Sequence, residues 1–306
     1  MIQRRYADVE STAMNPSTSV VPLLDPVAAA RERQLFEREQ PWFHDSVAET
    51  TAERLRWMRD APKVWLDWQP SWGGARSAQL VAAACPHATR LVFEPSEVPQ
   101  QSPAPSRWRW LPGKRSAAPD MWDGQTGVDM VWANMALRSE RSPEALMQAW
   151  RLALRPQGFV MFTGLGPHTL ESLRAIYERH GWASPCAPFT DMHDWGDMLI
   201  AQGFDNPVMD ASFLELTYTT AQAALQDLRL MGRNIHEERH AALRSRQWHQ
   251  ALLRAMESEL DRDARGRLIL TLEVIQGHAV NPASVRSQGA TTTISEGQMR
   301  GLLSRR

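Results

Sequence analysis

Short, continuously apolar runs alternate with stretches of helical periodicity through most of this chain, and that alternation predicts its elements. Lys63 to Asp67 reads as a buried strand. A turn carrying Gly73 and Gly74 follows it, then a helix over Ala75 to Ala84, then a second strand from Arg90 to Phe93 that closes on Glu94. Val128 to Trp132 is the next strand. Ser142-Pro143-Glu144 opens a helix to about Leu154, Arg155-Pro156-Gln157-Gly158 stops it, and Phe159 to Thr163 is again apolar. Helices are expected over Thr169 to Arg179, Asp191 to Gln202 and Thr220 to Met231, with a long Arg-rich one over Glu237 to Glu259. Pro207 to Thr219 and Arg267 to Ile275 read as late strands. Two helices precede the first strand: one opens at Asp25-Pro26, and Pro41-Trp42-Phe43-His44 separates it from a second, over about Asp45 to Met58. Pro95 to Asp120, rich in Pro, Ser and Arg, reads as loop or weak strand. Strands alternating with helices predict an α/β fold with a largely parallel sheet.

Composition narrows the function classes. Hydrophobic residues make up 43% and charged residues 23% of the 306, enough for a sizeable core. A net charge of −1 offers no bulk attraction to nucleic acid or an anionic membrane. No apolar run approaches a membrane span, and the chain is polar through Val20, so neither membrane anchoring nor a signal peptide is expected. Cys85 and Cys186 lack metal-ligand spacing, and a reducing cytoplasm is the expected compartment. The unusual feature is 13 Trp against 3 Tyr, which predicts core filling first and an aromatic ligand cleft second.

The strand, glycine turn, helix, strand and terminal acid from Val64 to Glu94 form the layout of a nucleotide-type binding unit. Bare glycine backbone lets the ligand approach, and the acid takes ribose hydroxyls. Where such turns carry G-x-G-x-G, this chain has Gln69, Ser71 and Gly73.

The strings V-D-M-V-W-A-N-M-A-L, L-R-P-Q-G-F-V-M-F-T, G-P-H-T-L-E-S-L-R and D-M-H-D-W-G-D-M-L-I-A-Q-G-F, followed by P-V-M-D and L-T-Y-T, stand in that order. Together they resemble the malonyl-acyl-carrier-protein O-methyltransferase family of biotin synthesis, one of the seven-stranded S-adenosylmethionine-dependent methyltransferases. The resemblance spans about Asp25 to Pro282 and is densest from Val128 to Phe213. It implies a Rossmann-like seven-stranded sheet, mostly parallel with an antiparallel edge. It further implies a flexible segment over 1–24, a helical lid over 25–60, a methyltransferase core over 61–219, a helical insertion over 220–265, a last core strand over 266–282 and a disordered tail over 283–306. Asp67, Gly73 and Gly74 would then face the methionine part of S-adenosylmethionine, Glu94 its ribose, and Asn134 both cofactor and substrate. Trp42, Phe43 and His44 match the lid, where the family carries a tyrosine. The family's loop acid that contacts adenine has no match between Trp108 and Pro119.

The implied reaction is methyl transfer to the free carboxylate of malonyl-acyl-carrier protein. The alternatives are a methyltransferase-like binding or regulatory protein without turnover, and a methyltransferase with another small acceptor. Plainer readings stand beside each site residue: Asp67 and Glu94 as strand-end polar groups, Asn134 as a cap on the next turn, and His193 as a cap or core hydrogen-bonder. His236-Glu237-Glu238-Arg239-His240 matches the zinc signature H-E-x-x-H, but its charged neighbours and the want of a firm third ligand (Glu257 and Glu259 lie downstream) mark it as a chance match. Arg239, Arg244, Arg246 and Arg254 read as a solvated helix face, and alternatively as a docking surface for an acidic acyl carrier protein.

Overall fold

A computed structural model describes residues 6–7, 23–38, 41–58, 60–94, 120–240 and 242–283. Most of the expected flexible N-terminus, nearly all of the expected tail and the loop bearing Trp108 and Trp110 lie outside the described residues. The strands are β1 (Tyr6–Ala7), β2 (Val64–Trp68), β3 (Thr89–Phe93), β4 (Asp120–Met121), β5 (Val128–Ala133), β6 (Leu154–Leu165), β7 (Asp205–Tyr218) and β8 (Leu268–Val280). The helices are α1 (Pro26–Arg38), α2 (Trp42–Leu55), α3 (Ser77–Ala84), α4 (Pro143–Ala153), α5 (Glu171–Arg179), α6 (Met192–Ala201), α7 (Ala221–Met231) and α8 (Arg246–Glu259).

One sheet runs in the order β1-β7-β8-β6-β5-β2-β3-β4. From β6 through β5, β2 and β3 to β4, every pairing is parallel. β8 is antiparallel to both its neighbours, β6 and β7, and β7 in turn to the two-residue edge strand β1. The two-residue β1 adds an eighth strand beyond the expected seven.

Burial on both faces explains the apolar runs. Along β2, Trp65 packs on one face with Met130, Trp132 and Val81, while Leu66 and Trp68 pack on the other with Trp150 and Phe162. Trp65, Trp72, Trp132 and Trp150 are among the largest fully buried side chains, so much of the tryptophan excess is core. α4 buries Leu146, Met147, Trp150 and Ala153, a helical stripe that holds the β5–β6 crossover against the sheet. α6 and α7 are capped by the polar residues at their expected starts, Asp191 accepting from the His193 amide and Thr220 from Ala223, and α8 is capped by Ser245, which accepts from Trp248.

β6 begins at Leu154, through the expected Arg155–Gly158 stop, and β8 runs on to Val280; three further differences from expectation bear on the site. α2 begins at Trp42, directly after Pro41, which places Trp42, Phe43 and His44 inside the helix. α3 begins at Ser77, because Gly74 sits at φ +96° and cannot continue a helix backward. The Arg-rich stretch is helical only from Arg246. Upstream of it Gly232 leaves α7 at φ +136°, and His236 forms an isolated bridge with Leu24. No described helix is long and apolar enough to cross a membrane.

Candidate functional site

The sequence runs outward from β2 through β3 to β4 and then returns to β5 on the other side of β2. In open α/β sheets this reversal opens a crevice at the carboxyl ends of the strands. Asp67, Glu94 and Asn134 all stand at those ends.

The turn after β2 is rigid and internally bonded. The Gln69 amide donates to the Phe93 carbonyl at 2.7 Å, the Trp72 amide to Gln69 O at 2.9 Å, and the Gly73 amide to Pro70 O at 3.1 Å. Gln69 adopts φ +54°, so a buried amide side chain takes the left-handed conformation usually left to glycine. At Gly73 an added Cβ would meet nothing nearer than 3.6 Å; at Gly74 it would lie 2.6 Å from the Asp45 carboxylate. Asp45 also accepts from the Arg76 amide at 2.8 Å, so α2 is pinned to the turn.

The two acids have different partners. Asp67 is 2% exposed and accepts from Arg90 Nε and a terminal guanidinium nitrogen at 2.9 and 2.6 Å. Burial pushes its carboxyl up to about 6, with the Arg90 guanidinium opposing. Glu94 accepts from the Ser71 hydroxyl at 2.7 Å and from the Ser71 amide at 3.2 Å. The acid expected to hold ribose hydroxyls thus already holds a hydroxyl of its own chain.

Asn134, one residue past β5, ties three segments together. Its amide nitrogen donates to His44 O at 3.0 Å and Gly73 O at 2.6 Å, and its oxygen accepts from Thr163 at 2.7 Å. His44 is wholly buried, with Nδ1 2.5 Å from Trp72 O. A carbonyl only accepts, so Nδ1 carries the hydrogen, and burial holds the imidazole neutral down to about pH 3. Trp72 is packed edge-on against Phe36 of α1, ring centres 5.2 Å apart.

Phe43, whose ring meets that of His44 edge-on with centres 4.3 Å apart, lines a cavity of about 430 Å³. That cavity begins at the ends of β5 and β6, with Arg138 and Leu165, and extends between α5, α7 and α8. Leu173, Tyr177, Leu225, Met231 and Trp248 give it apolar walls; Arg138, Arg229, Arg233, Arg239 and Arg244 add charge, and no Asp or Glu lines it. The sequence reading missed this site. Its only signal was the run of arginines from Arg229 to Arg244, which carries no information about which of them face an apolar hollow.

The remaining expected residues fall as follows. Trp42 donates its indole N–H to Asp227 at 2.8 Å, joining α2 to α7. The four arginines read as one face separate: Arg239 pairs with Asp25 and lines the cavity, Arg244 lies 4.4 Å over the Trp248 ring, and only Arg246 and Arg254 lie on α8. His236 and His240 share no helix, and among the described residues no group of three or more His, Cys, Asp or Glu could hold a metal. His193 is exposed and bonds its own cap residue, Asp191, at 2.6 Å.

A parallel sheet with one antiparallel strand set beside its far edge, and acids at the ends of β2 and β3, defines a seven-stranded, Rossmann-like methyltransferase. No family model matches the chain. Among curated proteins it is 35% identical over 254 residues to the malonyl-[acyl-carrier protein] O-methyltransferase of Laribacter hongkongensis, covering 78% of this chain and 82% of that protein. It is 33% identical to the protein of the same name from Gallionella capsiferriformans, covering 82% and 90%. The chain belongs to the malonyl-[acyl-carrier protein] O-methyltransferase family. Among solved structures, a Haemonchus contortus phosphoethanolamine N-methyltransferase 2 in complex with S-adenosyl-L-methionine is 14% identical, with a TM-score of 0.40, covering 76% of this chain and 52% of that one.

Proposed function

We propose that this protein methylates the free carboxylate of a malonyl group on acyl carrier protein, with S-adenosylmethionine as donor, in biotin synthesis. The observation that carries the reading is the convergence of Asp67, Gly73 and Glu94 on the crevice where the strand order reverses, in a chain of this family. The residues fit the cofactor in position. Glu94 offers a carboxylate in place for ribose hydroxyls, at the cost of displacing Ser71, and Gly73 leaves backbone without a crowding Cβ. When bound, the cofactor would supply the electrophilic methyl group.

The protein's own task is positioning. A carboxylate is already ionised at neutral pH, so no general base is required. The acceptor has to be aligned and water excluded. Asn134 holds the turn and α2 in one arrangement, and Phe43 presents an apolar ring between the crevice and the cavity.

Calorimetry with S-adenosylhomocysteine, followed by methyl transfer to malonyl-acyl-carrier protein, tests the reading. Saturable binding and methyl ester formation are expected. No binding at millimolar ligand overturns it.

A further inference from the structure

The cavity between α5, α7 and α8 has charge of a single sign: arginines line it and no Asp or Glu does. Of its five arginines, Arg138 pairs with Glu32 and Arg239 with Asp25. Arg229, Arg233 and Arg244 have no carboxylate partner among the described residues. Like charges held together around an apolar hollow repel one another, and a bound anion relieves that repulsion. Guanidinium forks also match a carboxylate or phosphate bidentately. The apolar walls ask that the anion ride on a carbon stem rather than arrive as a free inorganic ion.

We infer that this cavity is the acceptor pocket, and that Arg229, Arg233 and Arg244 bind the carboxylate of a short acyl thioester. The inference rests on the proposed reaction and extends it, by assigning the residues that select a charged acyl end over a neutral one. Position supports it, since Phe43 and Arg138 bring one end of the cavity to the ends of β5 and β6, beside Asn134. The phosphate of a carrier protein's thioester arm is a second source of the same charge, so the test separates the two.

Binding is measured by calorimetry without cofactor, using the malonyl thioester of N-acetylcysteamine, the butyryl thioester of similar length without the carboxylate, and phosphopantetheine. The malonyl thioester is expected to bind and the butyryl thioester to bind at least tenfold more weakly. Arg229→Gln and Arg244→Gln should each weaken malonyl binding about tenfold, and the Arg265→Gln control, on the turn before β8, should leave it unchanged. Far-ultraviolet circular dichroism confirms that each variant is folded. Equal binding of the two thioesters, failure of the malonyl thioester to bind, or malonyl binding untouched by the variants overturns the inference. Phosphopantetheine binding that is lost in the variants, with no malonyl binding, overturns it in favour of the arm's phosphate. Because no cofactor is present, these outcomes are independent of S-adenosylhomocysteine binding: a failed cavity leaves the cofactor result standing, and the reverse.

Discussion

The turn after β2 and the arginine cavity open on the same ends of the sheet, and α2 serves both, with His44 against one and Phe43 in the other. They are opposites in how their polar groups are satisfied. In the turn, Glu94 has Ser71, Asn134 has two backbone carbonyls, and Asp67 has Arg90. In the cavity, three guanidinium groups face a hollow with no carboxylate in its lining. A group satisfied by its own chain must give up a bond before it can gain a ligand, so part of the binding free energy is spent on exchange. A guanidinium with no carboxylate partner has no ion pair to give up first. The contrast teaches that the cavity's guanidinium groups stand ready for an anion, while the turn can take a ligand only by exchanging contacts.

The comparison is broken most severely at Gly74. Gly74→Ala forces a Cβ against Asp45 at φ +96° and should cost about 3 kcal/mol in urea-unfolding free energy, with cofactor binding lost alongside. An unchanged midpoint would mean that the turn is soft and the contrast unfounded.

His44 gives the next effect. Burial keeps its imidazole neutral, so between pH 6.5 and about 3 only the unfolded chain takes up the proton. The stability it contributes is full above pH 6.5 and is lost as pH falls through that window. Asp67 acts in the other direction. Its carboxyl, pushed up from 3.8 to about 6, keeps a proton that the unfolded chain releases, so its share is lost as pH rises toward 6. The histidine shift is the larger, so the thermal midpoint should fall on acidification from pH 7 to 4. His44→Gln should flatten that fall, and identical slopes in both proteins would exclude the assignment.

Ser71→Gly sharpens the comparison by moving the turn toward the cavity's condition. With Glu94 released from the serine hydroxyl, S-adenosylhomocysteine should bind about tenfold tighter by calorimetry. Weaker binding would show that the serine helps the site rather than occupying it. The smallest effect is expected at Trp42→Phe, which removes the bond to Asp227 and should lower stability by about 1 kcal/mol. A loss several times larger would place the junction of α2 and α7, rather than the turn, at the centre of the site.

Much of the fold was legible because β2, β5 and residues 159–165 of β6 are buried on both faces and so are mostly apolar, and because caps such as Asp191 and Thr220 mark helix starts. The stretch before α8 was misread as helix. Its composition suits one, but Gly232 and the bridge of His236 to Leu24, more than 200 residues upstream, set its path. The expected site residues could be located but not their bonds. Glycine usually fills the position of Gln69, and spacing alone does not show that its left-handed backbone is bonded to the Phe93 carbonyl of the next strand. The cavity was illegible for the same reason: sequence spacing says nothing about arginines from separate segments meeting over an apolar hollow.

The position of β8 has a consequence for how the chain comes to be folded. The last described strand to be synthesised is the one that joins β6 to β7, pairing along almost its whole length with β7 and over residues 274–280 with β6. Until it emerges, two long strands present unpaired backbone, the condition under which chains associate edge to edge. Completion of the sheet therefore waits for nearly the whole described chain, and ending translation before Leu268 should yield an aggregating product rather than a smaller enzyme.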